Sequence, residues 1–211
     1  GIGMLDSTFH DVCGSIAATK ATSNMEVRQL WLLMTVADDP GKSIGDYAAM
    51  AGTNKPCITR AQQGLGSRGL MTSREDKKDK RRVCLNATAT GRRIVGDSSV
   101  RAYAATLRHL TGSPLTIRQI ALLAYLCAEP DRRELRWVHD WLATMRGRNG
   151  ATIPKPALSR AAARLKALGL ITRQRDPKDR RMVRMTPTQK GINIITDMFD
   201  TYRSVPTKVA A

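Results

Sequence analysis

Leu30, Leu33, Met34 and Ala37 recur at helical spacing, which predicts a helix over about 26–37. Asp38-Asp39-Pro40-Gly41 is a run of turn formers and ends it. Ser43 is placed to cap a short second helix, 44–50, with Ile44, Tyr47 and Ala48 on one apolar face. Ala51-Gly52-Thr53 turns the chain. Asn54 then caps a third helix, with Pro56 in the first turn, where a missing N–H costs nothing. Ile58, Ala61 and Leu65 face inward, which leaves Lys55, Thr59, Arg60 and Gln63 on the outer face. Gly69 closes this helix in a left-handed cap. Leu70-Met71-Thr72 begins a strand and Val83-Cys84-Leu85 returns beside it. Between them, Arg74 to Arg82 holds six basic and three acidic residues. Thr88 caps a further helix through Gly91, Ile94 and Val95.

The pattern occurs twice. Lys55, Pro56, Arg60, Ala61, Leu65, Gly69, Leu70 and Thr72 recur 100 positions later. Asp76, Lys78, Asp79, Arg81, Val83, Thr88, Gly91, Ile94 and Asp97 continue the match without a gap. Upstream the offset falls to 90, where Arg28-Gln29-Leu30 meets Arg118-Gln119-Ile120. The second copy therefore carries ten extra residues, between about 128 and 152. Its short helix is predicted at about 135–145, with Val138, Trp141, Leu142 and Met145 apolar. An extended turn, Arg146-Gly147-Arg148-Asn149-Gly150, follows it and adds Arg146 and Arg148 as candidate phosphate contacts.

Helix, short helix, turn, helix and charged hairpin together predict a winged helix-turn-helix. The expected fold is mainly α with small β wings: two tandem winged helix-turn-helix domains joined by a helical linker. The predicted boundaries are 1–97 for the first unit with an N-terminal helix and 98–113 for the linker. The second unit, with a C-terminal helix, takes 114–202, and a flexible tail takes 203–211. Val100, Tyr103, Ala104 and Leu107 carry the linker's helical spacing.

Composition agrees with a nucleic-acid partner. The 35 Lys and Arg outnumber 18 Asp and Glu, for a net charge of +17 and a sequence pI near 10.5. A foldable chain with that excess seeks a polyanion. A helix fits the major groove of DNA, and Lys, Thr, Arg and Gln on its outer face reach phosphates or base edges. Lys155, Ser159, Arg160 and Arg164 are the second reader's candidates. A cationic hairpin tip suits the narrow, electronegative minor groove. Lys78, Lys80, Arg81 and Arg82 in the first wing, and Lys178, Arg180 and Arg181 in the second, are the candidates there. The blander alternative for either tip is a solvated loop.

At these positions the sequence resembles the MarR family of bacterial transcription regulators. The matching residues are Ser159-Arg160, Leu165, Gly169-Leu170-Ile171, the wing Asp176-Pro177-Lys178-Asp179-Arg180-Arg181, and Thr186 to Gly191. The first copy matches more loosely, through Gly69-Leu70-Met71 and Asp76-Lys77-Lys78-Asp79-Lys80-Arg81. The resemblance implies that Asp79 and Asp179 orient wing arginines. It also implies that Arg81 and Arg181, or their neighbours Lys80 and Arg180, enter the minor groove. Family members usually carry one unit per chain and dimerise through terminal helices, so a fused pair implies a single-chain pseudo-dimer. The competing arrangement is a homodimer; Val12, Ile16, Ile194, Ile195 and Met198 either form its interface or close the pseudo-dimer. The first reader also contains Gly64 and Gly66 where the second has Arg164 and Lys166, so it is expected to be the softer and weaker one.

Other chemistry is disfavoured. Cys13, Cys57, Cys84 and Cys127 are scattered, as are His10, His109 and His139, so no metal or cofactor is expected. A redox role for Cys57 or Cys84 is the weaker reading, incidental thiols the stronger. Trp31, Trp137 and Trp141 are expected in the core rather than around a ligand. No nucleophile–base pair or dinucleotide fingerprint supports an enzyme. No apolar run approaches the roughly 18 residues of a membrane span. Gly1–Gly3 reads as a tag remnant before Met4. The expected setting is cytoplasmic and nucleoid-associated. The function expected is a sequence-specific double-stranded DNA-binding transcription regulator. The alternative is a plasmid or phage replication initiator, or an architectural DNA-bending factor for excision. The sequence names no small-molecule effector.

Overall fold

The computed structural model of the chain describes residues 7–205; the expected tag remnant and residues 206–211 of the expected tail lie outside them. The described elements run α1 (Ser7–Ala18), α2 (Val27–Asp38), α3 (Ile44–Ala51), α4 (Lys55–Ser67), β1 (Met71–Glu75), β2 (Val83–Ala87), α5 (Ala89–Gly96) and α6 (Ser98–Ala105). They continue with α7 (Ile117–Ala128), α8 (Leu135–Thr144), α9 (Lys155–Ala167), β3 (Ile171–Arg175), β4 (Val183–Pro187) and α10 (Gln189–Ser204). Short 3-10 turns occupy Arg108–Leu110 and Arg148–Gly150. The fold is mostly helical, with two small antiparallel hairpins.

The chain divides into a first unit, 25–115, and a second unit made of 7–24 with 116–205. This differs from the boundaries expected from sequence in two ways. The N-terminal helix belongs to the second unit, not the first, because α1 packs along α7. There His10 meets Tyr125 and Trp141 with ring centroids 5.9 and 6.0 Å apart, and Phe9 meets Phe199 of α10 at 5.6 Å. Nor is 98–113 a free-standing linker. Asp97 accepts hydrogen bonds from the Ser99 and Val100 backbone N–H groups and starts α6 as a separate helix. That helix folds onto α2, burying Tyr103 and Ala104 and pairing Arg101 with Asp38. In the second unit the corresponding stretch is one helix, α10, which extends through Ser204 into the expected tail.

The same core pairing recurs in each unit, whereas the side-chain caps that open α3 and α4 have no counterpart at Glu134 and Pro154 before α8 and α9. Ser43 caps α3, and its Oγ accepts from the Asp46 N–H at 3.2 Å while Asp46 accepts from the Ser43 N–H at 3.1 Å. Gly52 ends α3 at φ +65°, a left-handed value that glycine reaches without strain. Asn54 Oδ1 accepts from the Cys57 N–H at 3.0 Å and opens α4. Leu30, Leu33, Ile58 and Leu65 are fully buried where α2 and α4 meet. In the second unit Ile120, Leu123, Leu158 and Leu165 do the same between α7 and α9.

The hairpins keep identical registers. Met71 faces Ala87 and Glu75 faces Val83, just as Ile171 faces Pro187 and Arg175 faces Val183. Each strand runs five residues, which leaves a tight tip. Behind each hairpin, Thr88 and Thr188 donate to the Gly69 and Gly169 carbonyls at 2.7 Å and cap the following helix. A Cβ at Gly91 or Gly191 would fall inside contact distance of the Leu70 or Leu170 carbonyl oxygen. That close approach is why glycine recurs there.

Candidate nucleic-acid interface

The two reader helices present the expected faces. On α4, Lys55, Arg60 and Gln63 are exposed and Thr59 is half-buried, while Ile58, Ala61 and Leu65 point inward. On α9, Lys155, Ser159, Arg160 and Arg164 are exposed over buried Leu158, Ala161 and Leu165. Both helices are 13 residues long, so Gly64 and Gly66 do not shorten the first reader. Gly64 has a packing role that spacing alone did not reveal. A Cβ there would collide with the Nε2 of Gln29, whose Oε1 accepts from the Glu26 N–H at 2.9 Å to cap α2.

Each wing tip is built by an aspartate that sequence reasoning did not single out for this role. Asp76 Oδ1 accepts from the Lys78 and Asp79 backbone N–H groups at 2.7 and 3.3 Å. Asp176 does the same to Lys178 and Asp179 at 2.7 and 3.3 Å. These bonds close a turn that places Lys78, Lys80, Arg81, Lys178, Arg180 and Arg181 in solvent. The signal was present: the Asp recurs three residues before Asp79 and Asp179. Those Lys78 and Asp79 N–H groups hold the Asp76 carboxyl below the ordinary carboxylate range.

Asp79 sits beside Arg81, with its Oδ1 3.2 Å from Nε. Asp179 accepts the Arg181 backbone N–H at 3.0 Å.

Two candidate cations, Arg82 and Arg146, have other employment, and a third, Arg148, is anchored by its backbone. Arg82 pairs with Asp46 at the start of α3, with Nη2 3.2 Å from Oδ2. That contact fastens the first wing to the brace helix. Position 182 is Met, and there Arg184 takes over, donating to Glu134 Oε1 and to the Pro130 carbonyl at 3.1 Å each. Arg146 folds back and donates to the Ala143 and Met145 carbonyls at 2.6 and 2.9 Å. It satisfies carbonyls at the end of α8 instead of reaching outward. Arg148 is exposed, but its backbone N–H donates to Thr19 Oγ1 at 3.2 Å, which seats the turn on the end of α1. Gly147 permits that seating, since a Cβ would strike the Ala18–Thr19 backbone.

Trp31 and Trp141 are buried as expected. Trp137 is not core: it lies half-buried with the Arg132 and Arg136 guanidiniums 5.2 and 4.8 Å from its ring. Cys13 and Cys127 are buried, and desolvation pushes both thiols up, Cys127 to about 12. Cys57 and Cys84 are half-buried. Among the described residues no group of three His, Cys, Asp or Glu side chains is placed to hold a metal, and no helix is long and apolar enough to cross a membrane.

Comparison with known family models finds a match in the second unit. A family model described as MarR family matches residues 152–182, from the approach to α9 through the second wing tip. No curated protein matches the chain. Among solved structures, the crystal structure of MarR is 25% identical over 32% of this chain and 46% of its own, with a TM-score of 0.31. A mutant form of ZitR from Lactococcus lactis is 20% identical over 33% and 47%, with a TM-score of 0.31. FabT from Streptococcus pneumoniae, solved in complex with DNA, is 13% identical over 60% and 83%, with a TM-score of 0.37. The chain spans about half the length of the first two structures. Helix, short helix, longer helix and hairpin form a winged helix-turn-helix in each unit, and across α9, β3 and the second wing tip the chain is similar to the MarR family.

Proposed function

We propose that the chain is a sequence-specific double-stranded DNA-binding transcription regulator, acting as a single-chain MarR-like pseudo-dimer. Readers α4 and α9 enter the major groove through Lys55, Thr59, Arg60 and Gln63, and through Lys155, Ser159, Arg160 and Arg164. The wings enter the minor groove through Arg81 and Arg181. The observation that carries this reading is a repeated pairing: an exposed cationic helix face followed by an exposed cationic hairpin tip, built twice on aspartate turns. Arginine suits the tip because its guanidinium sheds water more cheaply than an ammonium. The two readers differ at Gln63/Ala163 and Gly64/Arg164, so the target is an asymmetric repeat bound by one chain.

The test is DNA affinity against salt, at sites mapped genome-wide. With roughly six to ten phosphate contacts, affinity falls by about 10³–10⁵ between 50 and 200 mM salt. A flat response ends the DNA reading. Bound sites clustered at one origin or attachment site, with no expression change on deletion, replace regulation with the initiator or excision reading.

A further inference from the structure

Arg28 and Arg118 are the same residue of the repeat, each second in its helix, at the start of α2 and α7. A cation at a helix N-terminus faces the positive end of the helix dipole and is unfavourable there unless an anion accompanies it. In the first unit the anion is built in. Glu26, immediately before α2, lies with Oε2 2.6 Å from Arg28 Nη2. In the second unit Thr116 stands where Glu26 stood. It caps α7 through its hydroxyl, 3.3 Å from the Gln119 N–H, and supplies no charge. Arg118 donates Nη1 to the neutral Asn24 Oδ1 at 3.1 Å, and its buried Nε has no acceptor. The Arg28 Nε also lacks an acceptor, but that guanidinium has its carboxylate.

The uncompensated charge faces a pocket. Ser23, Asn24, Thr116, Arg118, Gln119 and Arg160 are among the residues that line an open cavity of about 230 Å³ beside the reader helix α9. Burial, and then the like charge of Arg160, both lower the Arg118 guanidinium's affinity for its proton. Among the described residues, two guanidiniums, one helix N-terminus and no carboxylate line this space. The volume falls below the roughly 300–1,000 Å³ that drug-sized ligands need.

We infer that Arg118 and Arg160, over the N-terminus of α7, form a site for a phosphate-type oxyanion. A phosphate group carries charge enough for both guanidiniums and presents oxygens that match their planar forks. Two sources offer this chemistry: a free phosphate, or a DNA backbone phosphate. The second source rests on the DNA-binding function proposed above. In either case the anion fixes Arg160 from the flank and so bears on the reader.

Two variants test it. Arg118→Gln removes the charge. Thr116→Glu installs the first unit's internal carboxylate in the second, at a position where Glu26 shows that a helix start accepts it. Inorganic phosphate is titrated by calorimetry at constant ionic strength, and DNA affinity is measured across salt. If free phosphate is the ligand, the wild-type chain binds it and both variants lose about tenfold or more, in line with a charged hydrogen bond. If the ligand is a backbone phosphate, Arg118→Gln lowers the salt slope of DNA binding by about 0.9, one contact's worth, on every sequence alike. Variants equal to wild type in both titrations overturn the site. A wild-type chain that binds phosphate and no DNA leaves the site standing and ends the regulator reading instead.

Discussion

The Asp79 carboxylate grips Arg81 at two points: one oxygen accepts from the Arg81 backbone N–H at 3.1 Å and from its Nε at 3.2 Å. The Arg81 side chain is 93% exposed and is nevertheless oriented. Asp179 takes only the backbone N–H of Arg181, at 3.0 Å. The same sequence motif therefore holds one wing arginine more firmly than the other. Preorganising an arginine lowers the side-chain entropy lost when it binds.

Asp79→Ala is expected to weaken DNA binding a few-fold with no change in melting temperature, and Asp179→Ala to weaken it less. An exposed pair of this kind contributes little to stability, so the two readouts separate. Anisotropy titrations with matched thermal melts decide it. Equal losses for the two variants would show that side-chain orientation is irrelevant to the wing.

The repeat made each unit's core legible in the sequence, because two copies carry the same periodicity. Helix starts at Ser43, Asn54, Thr88 and Thr188 were legible for a local reason: a side-chain acceptor sits three residues before the N–H it caps. What failed was long-range or context-bound. Asp97 and Asp197 are the same residue, yet only the first breaks a helix. Gly96 before it weakens the helix, whereas Met198 and Phe199 after Asp197 are buried and hold α10 by packing. The partner of α1 lies more than ninety positions downstream, beyond the reach of any local pattern. Residue type alone marks Arg82 and Arg146 as outward cations. Their geometry gives one a carboxylate 36 residues away and the other the end of its own helix.

Acid should loosen the first unit at a defined place. The Ser43 hydroxyl holds the Asp46 carboxyl below its ordinary range; the Ser43 N–H and the charges of Arg82 and Lys42 add to this, against burial. Asp76 is lowered as well, by the Lys78 and Asp79 N–H groups. A folded value below the unfolded one means the stabilisation is complete above the unfolded value, about 3.9. It is lost as pH falls through the folded value. Melting temperature is therefore expected to drop below about pH 4, and Asp46→Asn to flatten that part of the curve while lowering its plateau. A variant curve parallel to wild type would remove Asp46 from the account.

Gly191→Ala is expected to cost about 1–3 kcal/mol of stability, and Gly91→Ala a similar amount. The new Cβ would press on a backbone carbonyl, that of Leu170 or Leu70, which also accepts from Thr188 or Thr88 at 2.9 or 3.0 Å and cannot retreat freely. Gly96, with nothing within 4 Å, is the control that tolerates alanine. Denaturant melts of the three variants check this, and a neutral Gly191→Ala would mean that glycine recurs for another reason.

The two glycines of the first reader should respond with opposite signs. At Gly66 a Cβ would meet only ordinary contacts, 3.7 Å from the Met71 carbonyl oxygen and 3.8 Å from Gln62 Nε2. Gly66→Ala therefore gains about 0.5–1 kcal/mol of helix stability. Gly64→Ala pushes Gln29 from the Glu26 N–H and undoes the capping box of α2, so it destabilises. The effect reaches DNA through Arg60, which lies one turn before Gly64 on α4. Arg160→Ala is expected to cost about 1–3 kcal/mol of binding if Arg160 reads a base, and Arg60→Ala less, because its helix is softer. Repeating Arg60→Ala in the Gly66→Ala background is the decisive comparison. A stiffer helix should raise the cost of losing Arg60 toward that of Arg160. If the cost stays unchanged while the melting temperature rises, helix stiffness does not set the ranking of the readers.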